Sequence, residues 1–355
     1  MTAIIDRRAI GTSGLSVSRL GFGGAPLGNL FRRITDQDAA LTVQAALDAG
    51  ISYFDTAPYY GFGLSERRLG DSIRAQPQVV ISTKVGRLLQ PVPYPITAEE
   101  RDGFHSTMPF EPRYDYTHAG IMRSWESSLH RLGLARIDIL LVHDIGAATH
   151  GEQSTAMFSQ LTQGGGFRAL EELRAAGEIC ALGLGVNEWP VCLQAMNEVR
   201  IDVVLLAGRY TLLEQEALEV FLPRCARQEV AVIAAGVYNS GILATGTRGT
   251  AVPYFNYAPA PAAIIERAAS IESICERYGV SLPAAALQFV LAHPVVVSAV
   301  LGLGSPAQVA AALAALHAEI PRSFWQELRS QGLLRLDAPV PGDPVARSSG
   351  MDGVS

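Results

Sequence analysis

The sequence predicts an α/β fold, a single (β/α)8 barrel of the TIM type, with an N-terminal β-hairpin and long loops over its C-terminal face. Three observations carry this prediction. Eight short apolar runs alternate strictly with segments of helical spacing. Several of those runs are continuously apolar rather than alternating, as in strands buried on both faces. The chain has 355 residues, 48% of them apolar, enough for one core of that size. A doubly wound open sheet is the fallback.

Residues 8–19 read Arg-Ala-Ile-Gly-Thr-Ser-Gly-Leu-Ser-Val-Ser-Arg, two alternating runs around a Gly-Thr-Ser-Gly turn. That pattern is a β-hairpin, placed to plug the bottom of the barrel. The first barrel strand spans 20–24, with glycines where something approaches the backbone closely. Thr35 and Asp36 offer an N-cap to a helix over 39–49, which stops at Gly50. Strands are then expected over 51–55, 79–84, 137–143, 180–187, 203–207, 230–235 and 296–301. Helices are expected over 65–74, 119–132, 167–176, 189–199, 213–228, 262–278, 282–292 and 306–316. Two stretches, 87–116 and 239–260, fall outside the repeat and read as binding loops over the barrel top. The barrel domain is expected over 1–336 and a flexible tail, rich in Pro, Gly and Ser, over 337–355.

Charged residues make up only 17% and the net charge is -6, with no run of Lys or Arg, which argues against nucleic acid as a partner. Cys180, Cys192, Cys225 and Cys275 are scattered, as reduced thiols of a cytoplasmic protein would be. The N-terminus lacks the apolar stretch of a signal peptide, and 295–316 is mostly Ala and Gly interrupted by Pro306, so no membrane span is expected. His105, His118, His130, His143 and His150 form no zinc-ligand pattern, and no metal is expected. Gln163-Gly164-Gly165-Gly166 lacks the following Lys-Ser/Thr of a phosphate loop and reads as a turn. No signal for oligomeric state is present.

The chemistry is concentrated at strand ends. Three successive apolar runs end on Asp55, Lys84 and His143, and Tyr60 follows Asp55 by one turn. A barrel brings all strand C-termini to one face. A buried carboxylate requires a cation, and Lys84 is the candidate partner for Asp55. The ammonium would lower the pKa of Tyr60, which could then exchange a proton with an alcohol or alkoxide. His143 would orient the substrate oxygen. Taken singly, each residue has an ordinary reading as an N-cap Asp, a rim Lys or a core His. Together, at corresponding strand ends, they form a proton-transfer set. None can carry a hydride, so a redox reaction would require a cofactor.

These residues carry a resemblance. Phe54-Asp55-Thr56-Ala57-Pro58-Tyr59-Tyr60-Gly61 followed by Ser65-Glu66, then Ser82-Thr83-Lys84, resembles the signature of the aldo-keto reductases. So does Ser128-Leu129-His130-Arg131-Leu132-Gly133-Leu134 running into Ile137-Asp138-Ile139-Leu140-Leu141-Val142-His143. The resemblance spans roughly residues 8–316. It implies a barrel that binds a nicotinamide cofactor across its top, and a catalytic tetrad of Asp55, Tyr60, Lys84 and His143.

For the cofactor, Gly183-Leu184-Gly185-Val186-Asn187 resembles the segment holding the carboxamide, through Asn187. The family's Ser is Val186 here, and the position of its Gln is Ala207. Residues 236–243 resemble the loop around the pyrophosphate, which implicates Val237, Asn239, Ser240, Gly241 and Leu243. Residues 300–312 resemble the adenosine segment, which implicates Gly302, Gly304, Ser305 and Gln308. NADP-dependent members place Lys or Arg there, and no cation occurs from 295 to 315, so NAD is expected.

Phe110-Glu111-Pro112-Arg113-Tyr114-Asp115-Tyr116 and His143-Asp144 resemble the branch of D-threo-aldose 1-dehydrogenases, or L-fucose dehydrogenases, to which pyridoxal 4-dehydrogenase is similar. The implied reaction oxidises the anomeric hemiacetal hydroxyl of an aldopyranose such as L-fucose to the lactone, with Tyr60 as base. The alternatives are pyridoxal, whose hemiacetal would yield 4-pyridoxolactone, and a nucleotide-binding regulatory barrel without turnover, against which the intact tetrad argues. The 87–116 and 239–260 loops, with Trp189, are expected to line a pocket for this small-molecule hemiacetal.

Overall fold

Eight parallel strands close into a barrel in the computed structural model, which describes residues 5–93, 96, 98–250 and 252–343. Numbered along the chain, the strands are β1 (Arg7–Ala9), β2 (Ser16–Ser18), β3 (Leu20–Gly23), β4 (Tyr53–Asp55), β5 (Val80–Val85), β6 (Arg87–Pro91) and β7 (Phe110–Tyr114), followed by β8 (Ile139–His143), β9 (Ala181–Val186), β10 (Val203–Ala207), β11 (Ala231–Ala235), β12 (Tyr254–Phe255), β13 (Ala258–Pro259) and β14 (Val296–Gly302). The barrel runs β3-β4-β5-β8-β9-β10-β11-β14, and β14 closes on β3. Sequence order and spatial order coincide, as the strand–helix alternation demands.

The two faces of each strand enter different cores. Val17, Tyr53, Val80, Ile139, Leu141, Val203, Ile233 and Val297 fill the barrel interior. Phe54, Ile81, Leu140, Val142, Leu184 and Val232 point outward against the helices. This alternation has period two, so Asp55 shares the inward face with Tyr53, and Lys84 shares it with Ser82 and Val80.

The β1–β2 hairpin closes the bottom. Ile10 and Val17 are fully buried with the barrel interior, and the turn at Gly11 abuts the carbonyls of Glu229 and Asp202, where β11 and β10 begin. The glycine strand β3 is also closely approached: a Cβ on Gly24 would lie 2.8 Å from the Asp55 carbonyl oxygen.

Four stretches differ from the sequence expectation. The 87–116 stretch, expected as a loop, contains the antiparallel ribbon β6–β7, in register from Arg87–Tyr114 to Pro91–Phe110. Pro91 and Pro112 fit because a two-stranded ribbon leaves outward N–H positions unpaired. The helix expected over 213–228 is a 3-10 turn (Glu216–Leu218) followed by a helix over Phe221–Arg227. Pro223 explains the break, since proline is tolerated in a first turn and not in a helix interior. A further helix, Arg322–Ser330, buries Phe324, Trp325 and Leu328. Beyond it, residues 337–343 of the expected tail pack on the barrel: Ala338 and Val340 are buried, and Arg329 bonds the Ala338 carbonyl and Asp343. Residues 344–355 lie outside the described residues. Among the described residues, no helix is long and apolar enough to cross a membrane.

Candidate active site

The barrel register brings the strand-end residues together. Asp55 pairs with Ser82 across β4–β5, Lys84 with Leu141 across β5–β8, and His143 with Gly185 across β8–β9. Lys84 Nζ donates to Asp55 Oδ2 at 2.7 Å and to the Thr56 carbonyl at 2.9 Å. Ser82 Oγ donates to Asp55 Oδ1 at 2.7 Å, and the Tyr53 hydroxyl is 2.8 Å from Ser82 Oγ. The carboxylate thus has a hydrogen-bond partner on each oxygen, the condition under which a buried charge is tolerated. Lys84 is 1% exposed, and its stem needs Gly185: a Cβ there would lie 3.0 Å from Lys84 Cε.

Tyr60 stands over this pair. Lys84 Nζ lies 4.6 Å from the centre of its ring, and the His143 ring packs edge-on at 6.0 Å. The expectation that Lys84 lowers the Tyr60 pKa is met only in part. Burial dominates and pushes the hydroxyl up to about 12, with Lys84 pulling against it and Asp55 adding to it. For Lys84, burial alone would lower the pKa, but Asp55 and Tyr60 outweigh it and hold the group above its ordinary value. His143 is held well below the ordinary imidazole range by burial, and by the nearby Arg87 and Lys84, so it is neutral. Its Nδ1 is buried without a hydrogen-bond partner. An orphaned polar atom beside a cavity marks a functional constraint.

A second charged pair, absent from the sequence reading, supports the first. Arg87 at the start of β6 bonds Asp144 at 2.5 Å, both largely buried. Asp144 has a positive φ of 43°, a strained conformation for this residue. Its other oxygen accepts from Asn187 Nδ2 at 3.0 Å, and Arg209 Nε holds the Asn187 carbonyl at 2.8 Å. The Arg87 guanidinium also lies 4.3 Å from the ring centre of Tyr59. Asn187 is therefore fixed by Asp144, and Asp144 by Arg87. The only sequence signal was an Asp directly after the strand-end His; its arginine lies more than 50 residues away.

Tyr60, Lys84 and His143 open into a cavity of about 840 Å³. Arg87, Glu100, Asp102 and Phe104 line it from the first long loop, and Ser240, Tyr254 and Tyr257 from the second. Phe31, from the loop after β3, adds a wall that no sequence pattern announced. Trp189 does not line the cavity; it stacks on Phe221 at 6.4 Å and packs against the outer core. Asp55 lies beneath Lys84.

The residues assigned by resemblance to the cofactor divide into four groups. Asn187 and Ser240 line the cavity, and Ser240 Oγ accepts the Tyr257 N–H at 2.9 Å. Val237 and Leu243 are buried in the outer core, which leaves only their backbone for a ligand. Gly302, Gly304, Ser305 and Gln308 gather where β14 turns into the helix Pro306–His317; the Ser305 side chain accepts from Gln308 N, and Gln308 Oε1 accepts from Gly304 N. Asn239 is buried with its side-chain oxygen unpartnered, and Asn239, Ser240 and Gly241 all have positive φ. Gly185 and Ala207 line the cavity beside Asn187 and Leu205. A small side chain at Ala207 and none at Gly185, an unpartnered amide oxygen at Asn239 and a strained backbone turn over 239–241 are compatible with a dinucleotide.

Comparison with known proteins agrees with the barrel fold. The Aldo/keto reductase family model matches residues 19–332. The chain is 45% identical to a pyridoxal 4-dehydrogenase from Microbacterium luteolum over 337 residues, 93% of this chain and 98% of the relative. It is 40% identical to a D-threo-aldose 1-dehydrogenase from Pseudomonas sp over 330 residues, 92% of this chain and 97% of the relative. Among solved structures, the holo form of an aldo-keto reductase from Bacillus halodurans superposes with a TM-score of 0.71 at 25% identity, covering 96% of this chain and 99% of that one.

Proposed function

This chain belongs to the aldo/keto reductase family and is an oxidoreductase acting on CH–OH groups, and we propose that it oxidises the anomeric hydroxyl of an aldopyranose, such as L-fucose or another D-threo-aldose, to the lactone with NAD. The observation that carries the reading is Tyr60 at the base of the cavity, with Lys84 beneath its ring and neutral His143 beside it. Asn187, Asn239, Ser240 and the 302–308 turn would hold the cofactor, which accepts the hydride from C1 when bound.

Tyr60 removes the hydroxyl proton as the C1–H bond breaks. Lys84, kept charged by Asp55, stabilises the phenolate that Tyr60 must become. His143, being neutral, can donate one N–H to the substrate oxygen without repelling the cofactor's positive ring. Glu100 and Asp102 at the cavity wall offer carboxylates to sugar hydroxyls, and Tyr59, Phe31 and Phe104 offer rings for the apolar face of a pyranose. The preference for NAD over NADP is supported by the absence of any cation within residues 295–315 themselves. A tenfold or greater preference for NADP in kcat/KM would sink that part of the reading.

A second substrate is favoured by one observation, the 45% identity to the pyridoxal 4-dehydrogenase. Pyridoxal closes to a hemiacetal, and the same proton and hydride departures give a lactone. The test is NADH formation with L-fucose, D-arabinose, L-galactose and pyridoxal side by side. We expect the sugars to lead; pyridoxal leading by tenfold would transfer the assignment to it, and no turnover with any hemiacetal would overturn both.

The protonation states set a pH profile. Oxidation needs Tyr60 as phenolate, and its pKa stands at about 12. Below that value the reactive fraction, and with it kcat/KM, rises tenfold per pH unit. No acid limb from His143 falls in the neutral range, because its pKa is far below it. The expected curve is a single ascending limb with a midpoint no higher than about 12. A bell with its maximum near neutrality would contradict Tyr60 as the base.

A further inference from the structure

We propose that Arg32, on the loop after β3, recognises a phosphate on the 2′-oxygen of the adenosine ribose and so sets how far NADP is accepted beside NAD. The inference rests on reading residues 302–308 as the adenosine end of the cofactor site.

No residue of that turn is cationic, and in the linear sequence the matter ends there. Barrel closure changes it. β14 pairs with β3 so that Leu301 lies opposite Phe22 and Gly302 opposite Gly23. The segment leaving β3 must therefore run alongside the turn leaving β14. Pro26 lies 3.4 Å from where a Cβ on Gly302 would stand and 3.1 Å from one on Gly304. Further along, Arg32 Nη2 donates to the Gly304 carbonyl at 3.2 Å and lies 3.3 Å from the Gly304 Cβ position. Gln308 Oε1 accepts from Gly304 N at 2.7 Å, so the guanidinium and the Gln308 amide face the same glycine. A cation from a residue 272 positions away in the chain thus stands on the turn that carries none of its own.

Its chemistry suits a phosphate. A guanidinium has five N–H donors, and the Gly304 carbonyl uses one. Arg32 is exposed, so a ligand on the turn can reach it. The fork geometry matches two phosphate oxygens, and the charge-assisted bonds are of the strong kind. A side chain at Gly304 would crowd Pro26 and Arg32, so the glycine lets the guanidinium sit against the turn. A single cation at the turn gives acceptance of NADP beside NAD.

The test separates the phosphate from the rest of the ligand and does not depend on turnover. Binding of adenosine 2′,5′-bisphosphate and of 5′-AMP to the full chain is measured by calorimetry in the unmodified protein, in Arg32→Ala and in Arg32→Lys. We expect Arg32→Ala to weaken the bisphosphate by about tenfold or more and 5′-AMP by less than threefold, with Arg32→Lys in between. The kcat/KM ratio of NADP to NAD should fall by the same factor in Arg32→Ala. Equal weakening of both fragments would show that Arg32 only braces Gly304, and no weakening of either would show that it touches neither; each result overturns the proposal. Binding of neither fragment to the unmodified protein overturns it as well. Failure of every hemiacetal substrate leaves fragment binding untouched, so the two readings fail separately.

Discussion

Tyr60→Phe is expected to lower kcat by about a thousandfold while leaving the Kd for NAD within a factor of about two, since positioned proton transfer contributes roughly 10²–10⁴. The substitution removes one oxygen and keeps the ring, so the packing against His143 at 6.0 Å and over Lys84 survives. The buried hydroxyl has no other residue to replace it. His143 is neutral and held far below its usual range, and so is a poor base. Lys84 is held above its ordinary value and stays protonated. Retention of more than about a tenth of the activity in Tyr60→Phe would remove Tyr60 from the mechanism. Stopped-flow NADH formation together with NAD binding by fluorescence quenching reads both quantities.

Lys84→Met is expected to cost activity and stability together. The methionine fills the stem volume but strands Asp55, whose carboxylate is almost fully buried and keeps only Ser82 as a side-chain donor. Breaking a buried pair from one side costs about 3–5 kcal/mol, read from denaturant unfolding. Asp55→Asn in the same chain removes the stranded charge, so the double variant should regain much of that stability. Its activity should stay as low as that of Lys84→Met, because Tyr60 still lacks the ammonium that stabilises its anion. A double variant as unstable as Lys84→Met would mean that the pair is not coupled. One that regained activity would mean that Lys84 serves only the fold.

Much of the site could be read from the chain because its residues occupy equivalent local positions. Asp55, Lys84 and His143 end apolar strands, and a parallel barrel turns the end of a strand into a place on one face. Ser82 and Tyr53 obey the same rule one pleat earlier, two residues before Lys84 and Asp55, and period two would have found them. Arg87 and Phe31 had no such signal. The 87–116 stretch lacks a single period because its ribbon is made of two five-residue strands separated in the chain by an excursion of almost twenty residues. Trp189 shows the converse error: an aromatic at a strand end reads as a pocket wall, yet it packs outward on Phe221.

What the sequence alone determined is therefore the set of local periods and endings. It specified eight buried strands, their alternation with helices, and an acid, a cation and an imidazole at strand ends, with a tyrosine one turn beyond the acid. Tertiary structure alone decided the quantities that depend on what surrounds those groups. Burial outweighs Lys84 at the Tyr60 hydroxyl, which no spacing can show, because desolvation is set by every element around the cavity. Arg87 reaches Asp144, and Asp144 fixes Asn187, only because β5 and β8 are neighbours in the barrel and β6 begins directly after β5. Arg32 meets Gly304 only because the first barrel strand and the last become neighbours when the barrel closes. Charge acts through space, and closure of the barrel sets which charges are near.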